Sequence, residues 1–394
     1  MRIKIERITN TYNYGSLMMA INMIVMINNN IKDVKFYCDV RTEEDLNRLR
    51  YETKMDNIYR YSPKVYAAGR ICNYIAKFKD KYKEFDAVII LGGDDISEYY
   101  NIDALPNRLR SFVKKRIMGM KVILIGQTIG PFTGRRIKMA RNALNKVRIY
   151  TRDDNCLEYI KSIGITTGIR GRDLAFINLP RDGKEILYKY NLNDKEYITL
   201  VLSGLYKLYT KNYEAYIGEH IKIIRNLLNN PKVKGKNIVI LPHVTRPNDT
   251  TDLSVVRDVE NKMKEDEKER IIFINDEMMA SEARCILANG LFTITGRMHA
   301  AVSTFFKLKP AIALSYSVKY DGVIGNGLKR RDLLIEAAND EFWIEGKISD
   351  LVSSKVNYVI DNYNILNEEI KKEIHNTENI LLDELNDIIQ YINA

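Results

Sequence analysis

The sequence predicts an α/β protein of two doubly wound, Rossmann-like domains facing a cleft, with a C-terminal helix packing back on the body. Three observations carry this expectation. Short apolar and β-branched runs alternate with longer stretches of helical period, the pattern of parallel strands joined by crossover helices. The alternation breaks at residues 178–183, where Asn178, Pro180 and Gly183 occur without apolar period, and then restarts. The 394 residues exceed one ordinary core and suit two.

Element by element, the β-rich runs before the break are 2–8, 34–38, 87–91, 121–125, 148–151 and 167–169. Helical patterns fill 17–28, 106–118, 134–145 and 154–163. After the break, strands are expected at 197–202, 237–241, 271–274, 292–295 and 311–315, with helices at 213–228, 252–264, 278–288 and 299–306. The last stretch, 364–391, carries Ile365, Ile370, Ile374, Leu381 and Leu385 at helical spacing. The expected domains are therefore 1–180 and 190–360, followed by a helical segment, 364–394.

Composition sets limits on function. A hydrophobic share of 45% with 28% charged residues is that of a globular chain. The longest apolar stretch, 17–27, is interrupted by Asn22 and falls short of the roughly 20 residues a spanning helix needs. Residues 1–8 alternate charged and apolar side chains and do not resemble a secretory leader, so the chain is expected in the cytosol. Cys38, Cys72, Cys156 and Cys285 lie in or beside apolar segments without CxxC spacing, which points to buried thiols and away from disulfides or zinc. The net charge of +10 favours anionic partners but does not by itself separate a phosphorylated substrate from nucleic acid or an acidic membrane surface.

Ligands of open α/β sheets bind beyond the carboxyl ends of the strands, so the loops there carry the candidate residues. The strongest is the run from Phe292 to Phe306, a strand that stops at Gly296 and passes into an apolar helix with Arg297 and His299 at its start. Unpaired amides at a helix start, with a forked guanidinium beside them, suit phosphate or carboxylate, and the imidazole suits general-acid work near neutral pH. Lys319 stands on the loop after the next strand. His243 and Asp252 flank a polar loop bearing Pro242 and Pro247, where a base or acceptor contact competes with helix capping. His220 and His375 fall inside helical patterns and read as structural.

In the first domain, Asn13, Tyr14, Gly15 and Ser16 follow the first strand, with Gly15 permitting close backbone approach and Ser16 placed to cap a helix. Gly92 and Gly93 open a second loop whose Asp94 and Asp95 suit sugar hydroxyls; two adjacent carboxylates with no third ligand do not make a metal site. Gln127 marks a third loop, between Gly126 and Gly130. The neighbours Arg152 and Asp153, and again Arg172 and Asp173, read most simply as ion pairs within the fold.

Taken in order, Asn13 to Ser16, Gly92 to Asp94, Gly126 to Pro131, Arg152 with Asp153, Asp173 to Phe176, Pro242 and His243 with Asp252, Gly296 to His299, and Lys319 resemble the succession of motifs in polysaccharide pyruvyl transferases, over residues 8–322. The resemblance implies a GT-B-like fold, phosphoenolpyruvate as donor, no further cofactor, and a pyruvate ketal placed on a sugar of a surface polysaccharide or its lipid-linked precursor. It implies an acceptor side in the first domain and a donor side in the second, with Arg297 and His299 matching the family's Arg-x-His element. Peripheral contact with the inner membrane face, where a lipid-linked acceptor sits, goes with it; nucleic acid does not. Many relatives carry Asp where this chain has Ser16, and Gly where it has Asp94, departures that bear on the acceptor more than the donor.

Forming a ketal from an enol phosphate requires a proton on the methylene carbon, stabilisation of positive charge at the adjacent carbon, attack by two hydroxyls and departure of phosphate. The expectation is that Arg297, the helix start at His299 and Lys319 hold the donor anion, that His299 donates the proton, and that His243 or Asp94 assists a hydroxyl. Arg152, Gln127, Asp95 and Asp252 complete the expected substrate contacts. A glycosyltransferase using a nucleotide-sugar donor is the alternative with the same architecture, and a noncatalytic polyanion binder is a second.

Overall fold

Two all-parallel sheets organise the protein, whose computed structural model describes residues 1–61, 85–98, 102–246 and 251–394. The first contains β1 (Arg2–Glu6), β2 (Lys35–Cys38), β3 (Ile58–Arg60), β4 (Ala87–Leu91), β5 (Lys121–Gln127), β6 (Arg148–Thr151) and β7 (Gly168–Arg170), in spatial order β3-β2-β1-β4-β5-β6-β7. The second contains β8 (Tyr197–Val201), β9 (Asn237–Ile240), β10 (Ile271–Phe273), β11 (Thr293–Thr295), β12 (Ala311–Ser315) and β13 (Leu334–Glu336), in order β10-β9-β8-β11-β12-β13. Strand order reverses between β1 and β4 in one sheet and between β8 and β11 in the other, and such switch points are where doubly wound sheets bind ligands.

The central strands β4 and β8 are buried at every residue, as strands covered by helices on both faces must be. Their β-branched side chains also restrict the backbone to extended geometry. Helix starts are set by short polar side chains. Asp153 accepts from the Cys156 amide at 2.7 Å to open helix Asp154–Ser162, and Asn212 accepts from the Ala215 amide at 3.0 Å to open helix Tyr213–Asn229. Asn22, the polar interruption in the apolar stretch, is buried in helix Tyr14–Asn30 and donates to the Leu174 carbonyl at 2.7 Å, which removes the cost of burying its amide.

The chain forms two compact units. Unit one comprises Met1–Thr11, Met19–Leu174 and Glu378–Ala394; unit two comprises Tyr12–Met18 and Ala175–Thr377. The grouping differs from the boundaries read off the sequence. The motif around Gly15 belongs with unit two despite its early position, and the end of the terminal helix, Tyr363–Asn393, belongs with unit one. Cys38, Cys156 and Cys285 are buried free thiols, and burial raises the pKa of each; Cys72 and Pro247 lie outside the described residues. Among the described residues, no helix is long and apolar enough to cross a membrane.

Candidate active site

In unit two, the loops after β9, β8, β11 and β12, four neighbouring strands around the switch point, carry His243, Ser203 with Gly204, Arg297 with His299, and Lys319. The segment from Tyr12 to Ser16 joins them. Asn13 forms an antiparallel bridge with Val244, the Tyr14 amide donates to the His243 carbonyl at 3.3 Å, and the Thr245 amide donates to the Tyr12 carbonyl at 3.0 Å. Asn13 thereby enters this site as a backbone partner of the His243 loop, while its side chain accepts from the Ser16 amide at 3.4 Å and helps start the helix.

Gly15 has a specific reason to be glycine. A Cβ there would stand 2.2 Å from Nδ1, 2.4 Å from Cγ and 2.6 Å from Cβ of His299, so the imidazole lies directly on the glycine backbone. That packing fixes the half-buried ring at the head of helix Met298–Phe306.

Arg297 is placed differently from the open anion fork expected of it. Its Nε donates to both carboxylate oxygens of Asp252 at 3.1 Å and its Nη2 to Oδ1 at 2.5 Å, with the Arg297 side chain 14% exposed and that of Asp252 fully buried. Burial opposes the guanidinium charge, yet Asp252 pushes its pKa above the ordinary arginine value. Asp252 also accepts from the backbone amides of Gly204 at 2.7 Å, His243 at 3.1 Å and Val244 at 2.9 Å. Asp252 is therefore a buried organiser of three loops and not a substrate contact, because its lone pairs are already taken.

His243 is buried, its ring edge-on to Tyr14 at 5.4 Å, and its Nε2 is sealed from solvent without a hydrogen-bond partner among the described residues. Burial first, then the positive neighbours His299, Arg297 and Arg284, hold its pKa well below the usual histidine value, so the ring is neutral at pH 7. An imidazole closed off in this way does not reach a substrate hydroxyl, and the direct base role expected of it does not fit the geometry.

Beneath Arg297 lies a group of side chains absent from the sequence expectations. The hydroxyls of Tyr209 and Tyr320 both donate to the Gly296 carbonyl, at 2.6 and 2.7 Å, filling its two lone pairs. Burial raises both phenol pKa values well above 10, which keeps them donors. Lys319 Nζ donates to Tyr316 Oη at 2.7 Å and lies 4.5 Å from the Tyr316 ring centre. Nothing local in the sequence marks Tyr209, which precedes Gly296 by 87 residues. Tyr320, adjacent to Lys319, was within reach of a motif reading.

Unit one holds the other expected contacts, several of them internal. Gln127 is buried and donates through Nε2 to the Ile90 carbonyl at 3.2 Å, so it braces β4 against β5 and is not a substrate contact. Arg152 is likewise buried; its Nε donates to Thr128 Oγ1 at 2.7 Å and its Nη1 lies 3.8 Å from the Asp173 carboxylate. Arg152 faces Asp173, while Arg172 pairs at 2.7 Å with Asp154, one residue beyond the Asp153 that caps its helix. Gly92 is packed against β5, where a Cβ would fall 2.0 Å from the Gly126 carbonyl oxygen. Among the described residues nothing lies within 4 Å of a Cβ added at Gly93, and Asp94 and Asp95 are partly exposed beside it, with Asp95 paired to Arg7 at 2.6 Å.

The succession of these residues has a counterpart in known proteins. The sequence matches the pattern described as polysaccharide pyruvyl transferase over residues 13–318, from Asn13 to one residue short of Lys319. The chain belongs to the polysaccharide pyruvyl transferase family. As a member of that family it is a transferase, and it is similar to the amylovoran biosynthesis protein AmsJ of Erwinia amylovora, with 25% identity over 312 residues covering 76% of this chain and 72% of the relative. The fold of this polysaccharide pyruvyl transferase family member matches solved structures of GT-B type. UDP-GlcNAc 2-epimerase from Neisseria meningitidis, bound to UDP-GlcNAc, gives a TM-score of 0.61 at 8% identity, covering 100% of this chain and 99% of that one. A glycosyltransferase from Rickettsia africae gives 0.58 at 11% identity, covering 99% and 98%. At these identities the likeness is one of fold alone.

Proposed function

We propose that this pyruvyl transferase moves the pyruvyl group of phosphoenolpyruvate onto two hydroxyls of a sugar in an exopolysaccharide or its lipid-linked precursor, forming a ketal and releasing phosphate. The observation that supports the reading most directly is the imidazole of His299, half-buried, seated on Gly15 and standing at the head of a helix in a family member. The exopolysaccharide named for the relative AmsJ supports the class of acceptor.

In this reading His299 gives its proton to the methylene carbon of the enol phosphate, which becomes a methyl group. One sugar hydroxyl bonds to the adjacent carbon, and the second bonds there as the carbon–oxygen bond to phosphate breaks. Of the two hydroxyl protons, one restores His299 and the other leaves with phosphate, so atoms and charge balance without a further base. His243, neutral beside His299, avoids adding a like charge next to the acid. Lys319 and the amides at the head of helix Met298–Phe306 hold the phosphate and carboxylate, while Arg297 and Asp252 fix the loops that present them.

The test is phosphate release from phosphoenolpyruvate in the presence of an oligosaccharide bearing a neighbouring hydroxyl pair, with His299→Ala compared against wild type. Loss of turnover by about a hundredfold or more is expected for removal of a general acid. A variant with near-normal turnover removes His299 from the chemistry. Release of a nucleoside diphosphate from a nucleotide sugar, with no phosphate from phosphoenolpyruvate, overturns the whole reading in favour of glycosyl transfer.

A further inference from the structure

The charge of the chain is concentrated in one place. Between Asp103 and Asp153 the 49 residues 104–152 contain 13 lysines and arginines and no acidic residue. That leaves 48 of the 61 basic residues to face all 51 acidic ones, so this stretch alone makes the protein basic. In unit one it forms helices Leu105–Ile117 and Arg135–Leu144, which pack side by side, together with β5 and the start of β6.

Ordinary structural causes account for part of the charge. Lys115 pairs with Glu6, Arg136 lies 3.5 Å from Glu98, and Arg148 pairs with Asp387 at 2.5 Å. Lys114, Lys115, Arg116 and Arg141 sit in the last turns of their helices, where cations complement the helix dipole. That cause fails for Arg135 and Arg136, which open their helix after an uncapped Gly134, at the end where the dipole disfavours cations. Arg135, Lys138, Arg141 and Lys146 are exposed and make no ion pair among the described residues. Beside them Ile117 is 77% exposed, an apolar tip among cations. Where the C-terminal ends of the two helices meet, a cavity of about 680 Å3 is lined by Arg116, Lys146, Arg148, Thr166, Ile117 and Tyr391 among others.

We infer that this face of unit one docks on an anionic phospholipid surface, with the cavity receiving a lipid headgroup phosphate between Arg116 and Lys146. Flexible lysines and arginines gather diffuse negative charge, which a bilayer presents over the whole width of two helices. The exposed Ile117 distinguishes this partner from nucleic acid, because an isoleucine tip gains by entering the acyl boundary and gains little against a phosphate backbone. The assignment rests on charge and exposure alone and is independent of the donor chemistry proposed above.

The full-length chain is sedimented with vesicles of phosphatidylcholine, or of phosphatidylcholine containing roughly a third phosphatidylglycerol, at low and high salt. Binding to the anionic vesicles only, weakened by salt, is expected. The triple variant Lys138→Gln, Arg141→Gln, Lys146→Gln should lower that binding roughly a hundredfold, at about fivefold per cation. Ile117→Ser, at an exposed position that the fold does not need, should lower it severalfold while leaving the salt dependence unchanged. Circular dichroism melting shows that each variant is folded, and Ile117→Ser stands as the readout if the triple variant is not. Equal binding to neutral vesicles, or wild-type binding by folded variants, overturns the inference. So does tighter binding to duplex DNA than to anionic vesicles at the same salt, lost through the same substitutions.

Discussion

Gly15→Ala isolates the contact on which the proposed acid depends. Gly15 is the second residue of helix Tyr14–Asn30, where alanine would ordinarily be the better helix former by about 1 kcal/mol. Here the added methyl falls 2.2 to 2.6 Å from three atoms of His299, well inside contact distance. Overpacking of this kind costs about 1–3 kcal/mol and outweighs the helix preference, so the single variant should be destabilised. Removing the whole side chain with His299→Gly clears all three atoms, and Gly15→Ala in that background should stabilise by up to about 1 kcal/mol. The helix preference is common to both backgrounds and cancels, so the coupling between the two sites is the overpacking term itself, about 1–3 kcal/mol, read from urea unfolding of wild type, the two singles and the double. Turnover of Gly15→Ala should fall by about a hundredfold, because an ångström of misplacement at a reacting group costs that much. A cycle in which Gly15→Ala has the same sign in both backgrounds refutes the packing argument. Normal turnover in a destabilised Gly15→Ala separates the packing from the chemistry.

Two further outcomes follow from buried charges. Asp252→Ala leaves the Arg297 charge and three backbone amides without their acceptor, and denaturant unfolding should register a loss of about 3–5 kcal/mol; a loss below about 1 kcal/mol would contradict the organising role. Glu384, contributed to unit one by the terminal helix, accepts from the Arg172 amide at 2.9 Å and is pushed up to about 8 by burial, with Asp173 adding to the rise. Its raised folded-state pKa means that its contribution to stability is full below about 4.5 and is lost as pH rises through about 8. Glu384→Gln should therefore gain on wild type by about 3 kcal/mol or more between those limits, measured as unfolding free energies across the range, and a constant difference would show that Glu384 ionises freely in the folded protein.

The elements that could be read from the sequence are those whose signal is local. Strands β4, β6 and β12 run where their β-branched and apolar runs placed them, and helix Met298–Phe306 begins within a residue of the expected start. Strands β3 and β13, three residues each at a sheet edge, escaped although the equally short edge strands β7 and β10 did not, so length alone does not explain the difference. Helix Glu43–Thr53 escaped although its signal was present. Thr42 and Asp45 form a reciprocal capping box, but the helix is so polar that the apolar period used to find helices is nearly absent. The site was legible as a set of strand-end loops and illegible as a set of contacts. Which carboxylate Arg297 meets depends on Asp252, 45 residues away, and Arg152 and Arg172 meet Asp173 and Asp154 in place of the neighbours that adjacency suggests.

Arg297 shows why an arginine in a motif is not yet an anion hook. A guanidinium whose Nε and Nη2 already meet a buried carboxylate has a charge that is largely compensated, and freeing it for a ligand would leave Asp252 as an unpaired buried anion. The pair is better suited to holding shape than to gripping a substrate. It ties the turn after β11 to the loops after β8 and β9, while the hydroxyls of Tyr209 and Tyr320 fix the Gly296 carbonyl from the other side. In the proposed reading, attraction for the donor anion then falls to groups outside that strut: the amides heading helix Met298–Phe306, the Lys319 ammonium and the His299 imidazole when it carries its proton. In the proposed chemistry, with His243 kept neutral by its surroundings, the proton that His299 would give up would also help bind the donor. A rigid, internally neutral frame around a few adjustable cations suits the proposed reaction, which would discharge its acid at each turnover.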